Sequence, residues 1–409
     1  MRILLVTTYF EPDSGAAAVR LSRLAHLLHA RGHQVTVLAA MPHYPKGEIA
    51  EGYRGKFAQR EDRDGIQVIR TWLYTTTSSR ISRKLISQMT FMLTAGFRGL
   101  GMKRSDVILI EAQPIFTSVA GVLVSKMKRV PYVLNVSDLW PDHLLSVGAL
   151  TEDHPIYRYA RLLVNRMYRG ASAITTLSPA WAKAIRGYIG ERHAQKIQVI
   201  YNGVDLVRFK PEIESAAFGS KYHLPDTKLV TFIGTFATQY DLDSMLTVTE
   251  YFSHREDVLF VFIGAGSQAE AFQMRLNSGH YPNVRLIAWI DHSEIPAAWG
   301  ASYLTYWMMR DQPLYRGTIP AKLYEALACG VPILAAMEGI AAEIIVQSGG
   351  GVCVSCGDIE GLFKEIMHLI NNPADRTRYA QAARAYAESH FDPELVIDAY
   401  EAVLLNATK

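Results

Sequence analysis

A lysine and a glutamate three positions apart, Lys322 and Glu325, stand near the start of a stretch whose residue types predict a short helix. Pro320 suits the first helical position, Thr318 can cap it, and Gly330 suits the stop. The Ala, Lys, Leu and Glu residues between them are good helix formers. In the first turn, around Ala321 and Lys322, backbone N–H groups are free and the helix dipole is positive. An ammonium beside them makes an anion site that fits a diphosphate. Glu325 shares a face with Lys322. A carboxylate there repels phosphate at close range and suits a neutral hydroxyl pair, such as a ribose. The same spacing also fits an ordinary amphipathic helix with one ion pair.

The elements that must position such groups read as two βαβ series. Ile3 to Val6 is a continuous apolar run, as expected of a strand covered on both faces. A loop from Tyr9 to Ala16 follows, then apolar residues at helical spacing (Leu21, Leu24, Leu28), then a second strand at 35–38. This predicts a parallel sheet. Strands are also expected at 106–110 and 132–136, with a helix at 119–127 between them. The strand at 132–136 delivers Asp138 at its C-terminal end, the edge where ligands collect in open α/β sheets. Asp138, Asp142 and His143 have metal-ligand chemistry in principle, and Asp142 also suits a helix cap. Asn202-Gly203 predicts a tight turn. The second series opens at 229–234 and repeats at 259–267, each strand running into glycine (Gly234; Gly264 and Gly266). Cys353 and Cys356 form one C-x-x-C pair, too few ligands for a zinc site.

Length and composition bound the reading. The 409 residues, 49% hydrophobic and 20% charged, describe a globular chain of two or three domains. A net charge of +3 gives no basic field for nucleic acid. Three cysteines make no disulfide framework and point to a reducing cytosol. No apolar run approaches the ~18 residues of a spanning helix. Residues 80–104 are apolar with Arg80, Arg83, Lys84, Arg98, Lys103 and Arg104 near the ends. Such a stretch can lie in a membrane interface or pack on the sheet as an exterior helix. The first loop lacks G-x-G-x-x-G, against a nicotinamide-binding domain.

The stretch from Pro320 to Pro332 resembles the P-x-K-x-x-E-A-x-A-x-G-x-P signature of family 4 retaining glycosyltransferases, which have the GT-B fold. Lys196 to Asp205 resembles the same family's K-I-x-V-I-x-N-G-V-D segment. The likeness is nearest to the bacterial subgroup that builds O-antigen, capsule and colanic acid. It implies an α/β fold of two Rossmann-like, doubly wound parallel-sheet domains facing across a cleft. Residues 1–195, with a returning helix at about 393–409, would bind the acceptor; residues 196–392 would bind the nucleotide-sugar donor.

The resemblance also implies roles. Gly15, Gly234 and Thr235 would bring backbone to the donor phosphates, with Gly264 and Gly266 near the nucleoside and backbone groups of Ile290 at the base. Lys322, with Arg316 and the amide of Ala321, would neutralise the diphosphate, and Glu325 would hold the ribose. Asp138 would orient or deprotonate the acceptor hydroxyl. The chain departs from the family pattern at four places. Ser137 stands in a histidine slot, Gly317 in a glutamate slot, and an arginine and a lysine are absent after Gly234. The function expected is retaining, metal-independent transfer of a hexosyl or N-acetylhexosaminyl group without a cofactor. The donor would be a nucleotide-diphosphate sugar, UDP favoured, and the acceptor a polyprenyl-linked saccharide at the cytoplasmic face of the inner membrane. A nucleotide-sugar epimerase on the same fold, or a non-catalytic sugar-nucleotide-binding scaffold, are the alternatives.

Overall fold

The structure is a computed structural model that describes residues 1–78, 80–146, 148, 150–313 and 315–409. The chain forms two compact units, Met1–Tyr201 with Val396–Lys409, and Asn202–Leu395.

In chain order the first unit contains β1 (Arg2–Val6), α1 (Ala16–Ala30), β2 (Gln34–Ala40), β3 (Ala58–Arg63), β4 (Ile66–Thr71), α2 (Ile81–Leu100) and β5 (Val107–Glu111). It continues through α3 (Ile115–Lys128), β6 (Tyr132–Val136), α4 (Asp142–Ser146), α5 (Pro155–Gly170), β7 (Ala173–Thr176), α6 (Pro179–Ile189) and β8 (Ile197–Val199). The strands make one sheet in the order β3-β4-β2-β1-β5-β6-β7-β8, parallel except for β3. The order reverses between β1 and β5, so the loops after these two strands open at a topological switch point.

The two faces of this sheet are covered differently. Ile3, Leu5, Val37, Val68, Leu109 and Val133 pack with α1 in one core cluster. The opposite face takes α2 and α3, since a Cβ on Gly99 would meet Leu38 and one on Gly121 would meet Ile110. The first unit extends to Tyr201 rather than ending at 195, because β8 pairs in parallel with β7 and Ile200 N donates to Thr176 O. No turn forms at Asn202-Gly203. The chain turns just after, where Asp205 Oδ1 accepts from the amides of Val207 and Arg208.

The second unit runs α7 (Ala216–Lys221), β9 (Lys228–Ile233), α8 (Leu242–Glu250), β10 (Val258–Ile263), α9 (Ala269–Ser278), β11 (Val284–Ile287), α10 (Ile295–Gly300) and β12 (Leu304–Met308). Then come α11 (Ala321–Ala328), β13 (Ile333–Ala336), α12 (Ile340–Ser348), β14 (Gly351–Val354), α13 (Ile359–Asn371) and α14 (Pro373–His390). Its sheet is wholly parallel, in the order β11-β10-β9-β12-β13-β14. Here the switch lies between β9 and β12. The last helix, α15 (Pro393–Ala407), gives Ile397, Tyr400, Val403 and Leu404 to the core of the first unit.

Candidate functional site

The Lys322 helix forms where its residue types place it, with one change at its start. Pro320 is the N-cap, extended at φ −65° and ψ 140°, and the helix begins at Ala321. Thr318 lies two residues before that boundary, so the N-cap position is Pro320's and not Thr318's. Gly330 ends the helix in the left-handed region at φ +64°.

Lys322 is buried at 7% exposure, and its ammonium has no hydrogen-bond partner among the described residues. Three aromatic faces surround it instead. Nζ lies 3.4 Å from the ring centre of Phe232, 3.9 Å from Tyr240 and 5.2 Å from Trp307. Cation–π attraction supports the charged form there. Burial opposes it more strongly and pushes the Lys322 pKa well below that of a free lysine. Nζ sits directly under Gly234, where a Cβ would be 3.4 Å away.

Gly234 and the second glycine turn are pressed together. A Cβ on Gly264 would stand 1.9 Å from Gly234 O, and one on Gly266 would stand 2.5 Å from Phe236 O. Both positions have φ near +150°, where side chains other than hydrogen are rarely found. Gly234, Gly264, Gly266 and Lys322 thus form one cluster at the C-terminal ends of β9 and β10, beside the switch point. Thr235 follows as an exposed residue.

Glu325 makes its own contact. Its Oε2 accepts from Trp299 Nε1 at 3.0 Å, and no described side chain donates to Oε1. Burial raises its pKa above the usual carboxylate range. Ile290 is buried beside an exposed Trp289 and precedes a capped turn in which Asp291 accepts from Ser293. Arg316 is not brought to the cluster. Its guanidinium is held by Asp311 and Glu338, at 2.8 and 3.2 Å, on the exposed side of the chain. Two carboxylates share its charge, so contact with a diphosphate would require Arg316 to exchange them.

In the first unit, Gly15 is the N-cap of α1, packed so closely under Tyr44 that a Cβ would lie 3.0 Å from the ring. Asp138 follows β6. Its Oδ1 accepts from Leu139 N, His143 Nδ1 stands 3.6 Å from Oδ2, and burial raises its pKa. A carboxylate with a raised pKa is suited to exchanging a proton. Ser137 donates to the buried Glu111, which also binds Arg20 and Asn135 Nδ2. Asp142 is no helix cap. It accepts from Tyr157 OH (2.6 Å), Tyr188 OH (2.5 Å) and Arg161, so it ties three helices together. No group of three metal-ligating side chains occurs among the described residues.

Three features escape sequence reasoning. The aromatic box around Lys322 is assembled from separate strands and loops. Trp299 comes from α10 to orient Glu325. Asp13, buried in the loop after β1, accepts from the amides of His43 and Tyr44 at 2.9 and 2.8 Å, while its Oδ2 has no partner among the described residues. An aspartate in a Pro-Asp-Ser-Gly loop reads as ordinary turn chemistry, so only its burial marks it.

Comparison with known proteins agrees with this geometry. Residues 15–203 match the family described as glycosyl transferase 4-like domain, and residues 217–386 match glycosyl transferases group 1. The Escherichia coli K12 protein WcaI, named for glycosyl transfer in colanic acid biosynthesis, is 22% identical across 97% of this chain and 98% of its own. A GDP-mannose-dependent alpha-mannosyltransferase of Mycobacterium tuberculosis is 22% identical over 94% of this chain and 91% of its own. Among solved structures, a sucrose-phosphate synthase from Thermosynechococcus elongatus superposes with a TM-score of 0.75 over 98% of both chains at 16% identity. HepE of Anabaena, solved with UDP and glucose, does so with a TM-score of 0.72 over 99% of both at 17% identity. Matches over both units, the parallel-sheet architecture and the helix that carries Lys322 and Glu325 lead to one assignment: the chain belongs to the family 4 glycosyltransferases of GT-B fold.

Proposed function

We propose that this protein is a retaining, metal-independent glycosyltransferase that moves a hexosyl or N-acetylhexosaminyl group from a UDP-sugar to a polyprenyl-linked saccharide. That transfer would serve surface polysaccharide synthesis at the cytoplasmic face of the inner membrane. One observation carries the donor side of this reading: a buried ammonium with no hydrogen-bond partner among the described residues, beneath a glycine turn at the switch point of the second sheet. A lone buried cation is costly unless a ligand completes it. A diphosphate supplies that charge. The second unit is then the donor-binding unit, with Glu325 at the ribose, and the first unit takes the acceptor at Asp138, with the backbone at Gly15 serving the donor phosphates.

In the reaction the acceptor oxygen bonds to the sugar's anomeric carbon on the face that the phosphate leaves. The bond from that carbon to the phosphate oxygen breaks, and the acceptor's proton passes to the departing phosphate. Lys322 stabilises the charge that develops there. The relative WcaI, named for colanic acid biosynthesis, favours a role in polysaccharide synthesis, and HepE, solved with UDP and glucose, favours UDP. The GDP-mannose-dependent relative makes GDP the competing base.

A thermal-shift panel of UDP, GDP, TDP and ADP, with their common sugars and with or without EDTA, tests this. A ligand of the native state raises stability by RT ln(1 + [L]/Kd). A shift for one nucleotide that survives EDTA and is lost in Lys322→Ala is expected. No shift for any nucleotide overturns the reading. Chromatography of the donor without acceptor separates transfer from epimerisation, which needs no acceptor.

A further inference from the structure

The basic, apolar stretch at 80–104 is not used by the donor chemistry, and the structure shows what surrounds it. α2 presents Leu85, Met89, Leu93 and Phe97 four residues apart on one side, all exposed, Leu93 at 64% and Phe97 at 80%. α3 packs tightly on α2, where a Cβ on Gly99 would strike Val124 at 2.6 Å, and it adds exposed Leu123 and Met127. α5 packs against α3 in turn. Its Val164 and Met167 close on Ile115 and Leu134, so it lies on the same face of the sheet. It exposes Tyr159 and Leu162.

The charge pattern is one-sided. α2, α3 and α5 contain no aspartate or glutamate. Only two acidic residues occur between positions 80 and 130. Asp106 is bound by Arg2, and Glu111 is buried against Arg20. Exposed Arg83, Lys84, Lys103 and Lys126 are set around the apolar side chains. An ordinary solvated face intersperses both signs. This one offers apolar side chains to insert and cations to meet phosphate, the pattern of an interfacial membrane contact. A second copy of the chain would bring the same positive charge against itself, which disfavours self-pairing. No helix among the described residues is long and apolar enough to cross a membrane.

We infer that the α2–α3 face, flanked by α5, docks on an anionic phospholipid bilayer. This rests on the proposal of a lipid-borne acceptor and specifies the surface that reaches it. Contact is through side chains lying in the headgroup region, with α2 parallel to the membrane plane.

Co-sedimentation of the full chain with two kinds of vesicle tests it. One is phosphatidylcholine alone; the other is phosphatidylcholine and phosphatidylglycerol in equal parts. Binding to the mixed vesicles only is expected, weakened by high salt. Leu93→Asp with Phe97→Asp, and separately Lys84→Glu with Lys126→Glu, should each weaken it at least ~tenfold. All these side chains are exposed, so both variants should fold, and an unchanged limited-proteolysis pattern across residues 1–201 checks that they do. No binding by the unaltered chain, equal binding to both vesicles, or variants that bind as well as the parent would overturn the inference. So would a dimer in sedimentation velocity that Leu93→Asp with Phe97→Asp dissociates, since the face would then be an interface between copies. Nucleotide and vesicle binding are scored separately, so failure of the donor reading is distinguishable from failure of this surface.

Discussion

Lys322 is held where burial and aromatic faces pull in opposite directions, and the balance makes two predictions with opposite signs. Lys322→Met keeps the stem's volume and removes the charge. Without its ammonium the site loses a preorganised electrostatic donor, and kcat should fall on the order of 10²–10³-fold. The ligand-free protein should become more stable, because replacing buried ionic groups with apolar ones of similar volume is often neutral or stabilising by about 1–4 kcal/mol. The pH dependence has a definite direction. The folded pKa of Lys322 lies below its unfolded value, so between the two the unfolded chain binds more protons and native stability rises with pH. The gain from Lys322→Met is therefore full below the folded pKa and fades as pH climbs toward ~10.4. Parallel urea titrations at neutral and alkaline pH would show it; a variant less stable than the parent at neutral pH would refute it. Glu325 has a different task. Trp299 donates to one of its oxygens, and in the proposed reading the other accepts from a ligand hydroxyl. Glu325→Ala should weaken nucleotide binding with a smaller effect on kcat, and calorimetry showing unchanged affinity would remove Glu325 from the site.

At the scale of elements, the two glycine turns make the sharpest structural prediction. Gly264→Ala forces a methyl into Gly234 O and demands a φ that alanine resists. It should cost roughly 3 kcal/mol or more and also displace the turn above Lys322. Gly187, inside α6, has nothing within 4 Å of the added Cβ. There the same substitution should stabilise by about 0.5–1 kcal/mol. Urea midpoints of the two variants should move in opposite directions. Much of this layer was readable beforehand. α2 spans residues 81–100, as its apolar pattern predicts, and glycine after apolar runs marks both turns. The β3–β4 hairpin was not readable, because β3 is a charged edge strand (Ala58–Arg63) without an apolar face. The site shows the same division. Lys322 and Glu325 carry a local signal three residues apart on one helix. Phe232, Tyr240, Trp307 and Trp299 are core residues by composition, and nothing short of the folded sheet says that three of them enclose an ammonium. The pairing of Arg316 with Asp311 and Glu338 was not readable either, because the two carboxylates lie on separate loops.

For the whole molecule, the path of the chain sets a dependence that neither end reveals alone. The first unit is built from two distant stretches, residues 1–201 and 396–409. The second stretch brings four core side chains, Ile397, Tyr400, Val403 and Leu404, onto the sheet face shared with α1. Burying each contributes about 1.5–3 kcal/mol, together roughly 6–12 kcal/mol, which rivals the ~5–15 kcal/mol net stability of a whole domain. Tyr400 also donates to Asn135 Oδ1, which accepts from Thr175 as well, in the polar group around Glu111. Removing residues 396–409 should therefore unfold the first unit while 202–395, closed on its own parallel sheet, keeps its nucleotide-induced thermal shift. Limited proteolysis would map cleavage to residues 1–201 in the truncated chain and not in the parent. Tyr400→Phe is the milder companion, leaving the packing in place and removing one buried hydrogen bond at a cost of about 1–3 kcal/mol. If truncation leaves the first unit as protease-resistant as the parent, the core cluster does not depend on α15. If truncation abolishes the nucleotide shift as well, the second unit is not independent of the first.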